Sequence, residues 1–353
     1  MKNIINLIFL FFVTATFSNC KKENSTPTIP NTYYYPPLIG SNWETLSPKT
    51  LGWDVAKLDD LINYVDDNNS TAFIILYKGR IITEKYFRGF NVNSSAKIFS
   101  STKSMGAFLI GLAQEQGKLD INKKVTDYLG IRWSKASLLQ ENAITVKHLI
   151  TMTSGLNEDL TYETTPGTKW YYNTIAYHKI YEVLAAAYGQ NNSIYTEAQF
   201  WSKIGMQNSF WDTEPGGGPS MSCSGRDMAR FGLLISTDGK WDGIAIMNNA
   251  NYFQNMIRPS QMLNPAYGYL WWLNGQSSFV LPGTTGEVFQ GPLIPSAPSD
   301  LIAALGFGDK KIYVCKSKDL VVIRHGLPSN SPVTNALSNF DNEIWKRLML
   351  VIN

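Results

Sequence analysis

Strand-forming segments stand at the two ends of this chain, with helix-forming ones between them. Residues 71–77 and 81–87 are apolar and β-branched, and Lys78-Gly79-Arg80 splits them, which is a hairpin signal. Near the C-terminus, residues 301–305, 311–315 and 320–324 read as strands, with turns at Gly306-Phe307-Gly308 and Ser317-Lys318-Asp319. The stretch between them is richer in helical periodicity, at 146–150, 176–188 and 226–236. A helical stripe at 54–67 precedes the hairpin, and a final helix is expected over about 331–350. Two sets of antiparallel strands so far apart in sequence must share one sheet or leave two sheets half covered. The reading is therefore α+β, an antiparallel sheet flanked by helices and completed by both ends of the chain, with a mostly helical inserted lobe. The sheet lobe spans about 41–117 and 241–353, the helical lobe about 118–240. A functional site is expected between them.

Ser100-Ser101-Thr102-Lys103 stands where a long apolar helical pattern begins (Met105, Ala107, Phe108, Leu109, Ile110, Leu112, Ala113), ending near Gly117. Residues i and i+3 share a helix face, so the Ser100 hydroxyl and the Lys103 amine can meet. A serine hydroxyl is a poor nucleophile until a base takes its proton, and a lysine serves once its pKa falls. The chain holds three S-x-x-K matches, Ser18/Lys21, Ser94/Lys97 and Ser100/Lys103. Ser18 lies in the leader and Ser94 in a polar loop, so context selects Ser100.

The first 19 residues read as a targeting segment: Lys2, then an apolar run of 14 residues at 4–17. That is shorter than the ~20 a membrane span needs. Phe17-Ser18-Asn19-Cys20 resembles the cleavage and lipidation site of bacterial lipoproteins, with an ordinary secretory signal as the alternative. Residues 20–40 are polar and proline-rich, a tether. The expectation is an exported protein, held on the periplasmic side of a bacterial membrane by lipid on Cys20 and touching the membrane only there. The spacing of Cys223 and Cys315 leaves pairing open, with two buried thiols the simpler reading. A net charge of +3 with no basic run longer than two residues argues against nucleic acid as a partner. With 44% hydrophobic and 13% aromatic residues overall, the chain can bury a substantial core in the domain at 41–353.

Further stretches carry a family likeness: residues 144–156 (ITVKHLITMTSGL), Trp170-Tyr171-Tyr172-Asn173, residues 227–232 (DMARFG), 267–272 (YGYLWW), and 304–308 (ALGFG) running on to 319–324 (DLVVIR). With Ser100 and Lys103 they resemble the serine β-lactamase/penicillin-binding-protein superfamily. The resemblance is closer to the esterase-like branch that includes class C β-lactamases, family VIII carboxylesterases, D-aminopeptidases and 6-aminohexanoate-dimer hydrolase. It covers roughly residues 41–350. It implies that Ser100 is the nucleophile, that Lys103 and Tyr171 shuttle protons, and that Asn173 of the Y-x-N match contacts substrate. A Lys-Thr-Gly is absent. The glycine-rich Gly306-Phe307-Gly308 is expected in its place, letting strand backbone approach the ligand. The Phe307 N–H would join that of Ser100 as an oxyanion hole. Residues 295–300 (PSAPSD) support that branch, and Thr284-Thr285-Gly286 is a second candidate. Lys310 and Lys311 are expected to face solvent or the far edge. The strand would then lack a cation for a substrate carboxylate, implying short-chain esters or linear amides in preference to penicillins and cephalosporins.

Other chemistries find no support in the sequence. There is no G-x-S-x-G elbow. His148, His178 and His325 are scattered, without metal-ligand spacing, and no metal or cofactor is expected. His148 reads as structural. The Gly216-Gly217-Gly218 run lacks phosphate-loop spacing and reads as a loop near the site rim. The expected function is hydrolysis of an ester or amide bond in a small-molecule or peptide-like substrate through an acyl-enzyme on Ser100. A β-lactamase or D,D-peptidase, and a non-catalytic peptidoglycan- or peptide-binding protein, stand as alternatives.

Overall fold

The computed structural model describes residues 29–214, 217–283, 286–331, 333–334 and 337–352. Helix α1 (Val55–Asp67) starts where the Asp54 side chain accepts from the Lys57 N–H and buries the stripe Leu58, Leu61, Val65. The hairpin follows as β1 (Ser70–Tyr77) and β2 (Arg80–Tyr86). A short β3 (Ser95–Lys97) and one 3-10 turn (Phe99–Ser101) lead into α2 (Thr102–Glu115). The middle of the chain supplies α3 (Val146–Ile150), α4 (Thr174–Tyr188), β4 (Phe210–Thr213), β5 (Pro219–Ser224) and α5 (Gly225–Ser236). The last part brings β6 (Trp272–Leu273), β7 (Ile302–Gly306), β8 (Lys310–Cys315), β9 (Leu320–Gly326) and α6 (Asn339–Ile352).

One antiparallel sheet of six strands in the order β2-β1-β9-β8-β7-β6 joins both ends of the chain, as the strand pattern requires. Both faces are covered. Helix α6 lies on one, with Trp345 edge-on to Tyr313 at 5.7 Å, and packs against α1. Helix α5 lies on the other. A Cβ at Gly232 would come within 2.4 Å of Val321 Cγ1, so only glycine allows that approach. Burial on both faces explains why β1 and β7 read as mostly apolar runs and why every residue of β8 and β9 is buried, the charged ones included.

Three expectations need correction. Helix α5 falls within the 118–240 stretch assigned to the helical lobe, yet it packs on β1, β8 and β9. The final helix begins at Asn339, because a short hairpin (Val333–Thr334 with Leu337–Ser338) occupies part of its expected start. The proline-rich tether is docked over its last residues: the Tyr33 hydroxyl donates to Asp319, Tyr34 N–H to the Lys78 carbonyl, and Tyr35 packs on Trp241. Aromatic side chains bury there despite the prolines. The targeting segment and Cys20 lie outside the described residues, among which no helix is long and apolar enough to cross a membrane. Cys223 and Cys315 are separate buried thiols.

Candidate active site

Ser100 sits on a tight turn built from both ends of the sheet lobe. Strand β3 pairs with β5, and Ile98 N–H continues that ladder to the Met221 carbonyl at 2.9 Å. The chain then turns sharply at Phe99, whose φ of 47° is unusual for a bulky residue. The single Ser101 hydroxyl proton is shared between the carbonyls of Ala304 (3.2 Å) and Lys310 (3.3 Å), fastening the turn to β7 and β8. A Cβ at Gly306 would lie 2.2 Å from the Ile98 carbonyl oxygen. Glycine there is a condition of the closure, and it lets the end of β7 pack against the turn that carries Ser100.

At the second residue of α2, the buried Lys103 amine donates to Ser100 Oγ at 3.0 Å. Its other neighbours are aromatic faces: the rings of Tyr177 at 4.5 Å and Tyr172 at 5.1 Å. Among the described residues no carboxylate lies within ion-pair distance of it. Burial draws its pKa from 10.5 down to about 8, with Glu214 pulling weakly the other way. His178 on α4 is held neutral, its pKa pushed to about 4 by burial and by Lys103. Gly218 packs flat on that ring, since a Cβ there would come 2.0 Å from Cε1. This places the end of the glycine run beside the site.

The structure separates the three residues around the Y-x-N match. The Tyr171 hydroxyl points outward and donates to Glu158 at 3.0 Å, so Tyr171 does not face Ser100 and Lys103. Asn173 is the N-cap of α4. Its side chain accepts from the Ala176 N–H at 2.9 Å and donates to the carbonyls of Leu156 and Asn157, at 2.8 Å each. Buried, it spends both amide N–H groups and one lone pair of Oδ1 on the backbone, as a helix cap. The tyrosine that reaches the pair is Tyr172. Burial raises its phenol well above the ordinary value, while the Ser100 side chain works the other way. Its ring stacks on Trp272 (6.1 Å) and meets Tyr267 (6.2 Å) and Trp170 (6.2 Å) edge-on or tilted. The 267–272 stretch is thus the wall that orients Tyr172, and Ser104 Oγ ties α2 to it through the Leu270 carbonyl at 2.7 Å. Two sequence signals pointed this way. Alternation along an extended chain puts Trp170 and Tyr172 on one face and Tyr171 on the other. An asparagine directly before a helical run is an N-cap signature.

Phe307 follows Gly306 at the turn, mostly exposed, its ring edge-on to Phe99 at 5.8 Å, and Gly308 has a φ of 69°. Of Thr284-Thr285-Gly286, residues 284–285 lie outside the described set. His148 forms a capping box with Thr145 at the start of α3, a structural role. The solvent-facing placement of Lys310 and Lys311 is not observed. Both are buried, because β8 is an inner strand covered on both faces. Lys311 turns to α6 and pairs with Asp341 (2.8 Å) and Asp309 (3.2 Å). Lys310, one residue earlier, turns to the opposite face, over the Phe99 ring at 4.9 Å. A buried lysine does stand on this strand face, over the ring of the residue before Ser100, where the sequence reading expected none. Among the described residues, no group of three or more His, Cys, Asp or Glu side chains is placed to hold a metal ion.

A beta-lactamase family model matches residues 58–292. Similar solved structures include a protein from Bacteroides dorei DSM 17855 described as a beta-lactamase (16% identity, 85% of this chain and 99% of that one, TM-score 0.67). A protein from Bacillus anthracis described as a 6-aminohexanoate-dimer hydrolase is also 16% identical, over 96% and 97% of the two chains, with a TM-score of 0.64. The octameric penicillin-binding protein homologue from Pyrococcus abyssi shares 16% identity over 84% and 76%, with a TM-score of 0.60. No curated protein matches the chain.

Proposed function

The chain belongs to the beta-lactamase family, a family of hydrolases, and from that premise we propose that it cleaves an ester or amide bond through an acyl-enzyme on Ser100. One observation carries the reading: a buried lysine with no carboxylate partner among the described residues donates to a serine hydroxyl at 3.0 Å, with its pKa down to about 8. Such a lysine is neutral often enough near neutral pH to serve as a base. In this reading neutral Lys103 takes the Ser100 proton as Oγ attacks the carbonyl carbon. Tyr172, in the place first given to Tyr171, passes a proton to the leaving group and is restored by Lys103. The N–H groups of Ser100 and Phe307 receive the oxyanion. Water then attacks the acyl carbon, the Lys103–Tyr172 pair takes its proton, and Ser100 is released with an acid product. Cys20 carries the lipid that tethers the enzyme outside the cytoplasm, and loss of palmitate-analogue labelling in Cys20→Ser is the check.

Fluorophosphonate labelling followed by peptide mapping tests the assignment. The label is expected on Ser100 and absent from Ser100→Ala. Label on Ser94, or retained in Ser100→Ala, would refute it.

A further inference from the structure

The segment before α1 is pinned to the domain through its backbone, yet two of its large apolar side chains are left in solvent. Asn31 Oδ1 accepts from the Lys78 amine at 3.3 Å, and the Thr32 carbonyl accepts from Arg80 Nη1 at 2.7 Å. The Pro37 carbonyl accepts from Arg230 Nη2 at 2.7 Å, and the Gly40 N–H donates to Gln207 Oε1 at 3.3 Å. The Leu38 carbonyl presses on Gly205, where a Cβ would come within 2.5 Å of its oxygen. Between these fixed points Leu38 is half-exposed and Ile39 is 81% exposed. Tyr35 packs on Trp241 at 5.4 Å, which sets the hairpin of Lys240–Trp241 and Ile244–Ala245 beside the segment. Ile244, paired with Trp241 across that hairpin, is 68% exposed.

Exposed apolar side chains are ordinary when scattered singly. Here three large aliphatic ones gather where the segment and the hairpin meet, on backbone too well fastened to turn them inward. Lys203, two residues before Gly205, and Lys240, at the head of the hairpin, are exposed and have no ion-pair partner among the described residues. Asp242 is the one carboxylate on the hairpin. Aliphatic tips flanked by lysines are the chemistry that meets an anionic lipid surface. The chain length points the same way. Asn31 stands eleven residues beyond Cys20, a link that spans at most about 40 Å. A domain of this length is about 50 Å across. A lipid on Cys20 therefore cannot reach round to the far side, and the face that carries residues 31–40 is the one brought to the bilayer.

We infer that this face rests on the bilayer, with Leu38, Ile39 and Ile244 entering the acyl-chain boundary and Lys203 and Lys240 meeting anionic headgroups. The inference rests on the Cys20 reading for what brings the face to the membrane, so its test supplies the anchor chemically. Cys223 and Cys315 are buried, which leaves Cys20 as the thiol open to coupling. The chain from Cys20 onward is coupled to maleimide lipid in vesicles of phosphatidylglycerol and phosphatidylethanolamine that carry a phospholipid with a diazirine in its acyl chain, and the photo-adducts are mapped by peptide. Label is expected on the peptides that hold Leu38, Ile39 and Ile244. It should fall about 10-fold in the double variant Ile39→Asn/Ile244→Asn, the scale of withdrawing one large aliphatic side chain from an apolar medium. Leu139→Asn, at an equally exposed side chain on the 138–141 helix, should leave it unchanged. All three side chains stand in solvent, so the variants are expected to fold. No adduct, label spread evenly over the surface or concentrated on another face, or an equal loss in Leu139→Asn would overturn the inference. So would a dimer of the uncoupled chain joined through this face, which would assign it to a second copy. Palmitate-analogue labelling that persists in Cys20→Ser would instead overturn the anchor reading and leave the mapped contact standing.

Discussion

Lys311 and Lys103 are both buried lysines, and the fold treats them in opposite ways. Around Lys311 it supplies Asp341 at 2.8 Å and Asp309 at 3.2 Å, with Tyr313 also donating to Asp341. The network joins β8 to α6 and has the look of structure. Around Lys103 it supplies aromatic faces and one serine hydroxyl, 3.0 Å away. The first arrangement keeps a charge where it is. The second makes the charge easy to lose, and a lysine that can lose its proton beside a hydroxyl is a base. The partners of a buried cation, more than its burial, separate a structural site from a reactive one.

Breaking each arrangement should give opposite signatures. The largest effect is expected at Lys103→Arg, which keeps the positive charge but cannot deprotonate. It should lower the rate of acylation by fluorophosphonate by about 10²- to 10⁴-fold. In Lys311→Met, two carboxylates lose their buried partner, and denaturant unfolding should show a loss of about 3–5 kcal/mol. Lys103→Met should go the other way. The amine has a folded-state pKa of about 8 against 10.5 when exposed, so below pH 8 the fold bears the full penalty of a buried charge. Removing it should stabilise by up to about 3 kcal/mol at pH 7. Between pH 8 and 10.5 the unfolded chain binds the extra proton, wild-type stability rises with pH, and the gain should shrink. A destabilised Lys103→Met at pH 7 would contradict the comparison.

Tyr172→Phe keeps the ring packing and removes the hydroxyl, and kcat/KM for an ester should fall about 10²-fold, whereas Tyr171→Phe should change it by less than about twofold. Equal effects of the two would remove Tyr172 from its role. The smallest effect is expected at Gly306→Ala, where the added methyl meets the Ile98 carbonyl and unfolding should show a loss of about 1–3 kcal/mol.

Much of the fold was legible, because β-branched runs with glycine turns and amphipathic stripes are local signals. The hairpin of β1 and β2, the C-terminal strands and helices α1, α2 and α4 all lie where periodicity puts them, within a few residues. The Ser100–Lys103 meeting was legible for the same reason, being helix geometry over three residues. What was hidden depends on what covers each face. Lys310 and Lys311 look like a solvent-facing turn in sequence, and only the position of β8 inside a covered sheet buries both. Tyr171 and Tyr172 are neighbours of identical chemistry. A spacing rule tied to Asn173 selected the former, but the cap of α4 claims Asn173 and the wall of Tyr267 and Trp272 claims Tyr172.

The account stands on Lys103 being the base at Ser100 with a pKa near 8, and the pH dependence of kcat/KM for a neutral ester tests this most directly. The profile should rise with pH through an apparent pKa of about 8, as the amine loses its proton, and the rise should vanish in Lys103→Arg. A wild-type profile with no inflection between about pH 7 and 9, or the same inflection surviving in Lys103→Arg, would contradict it.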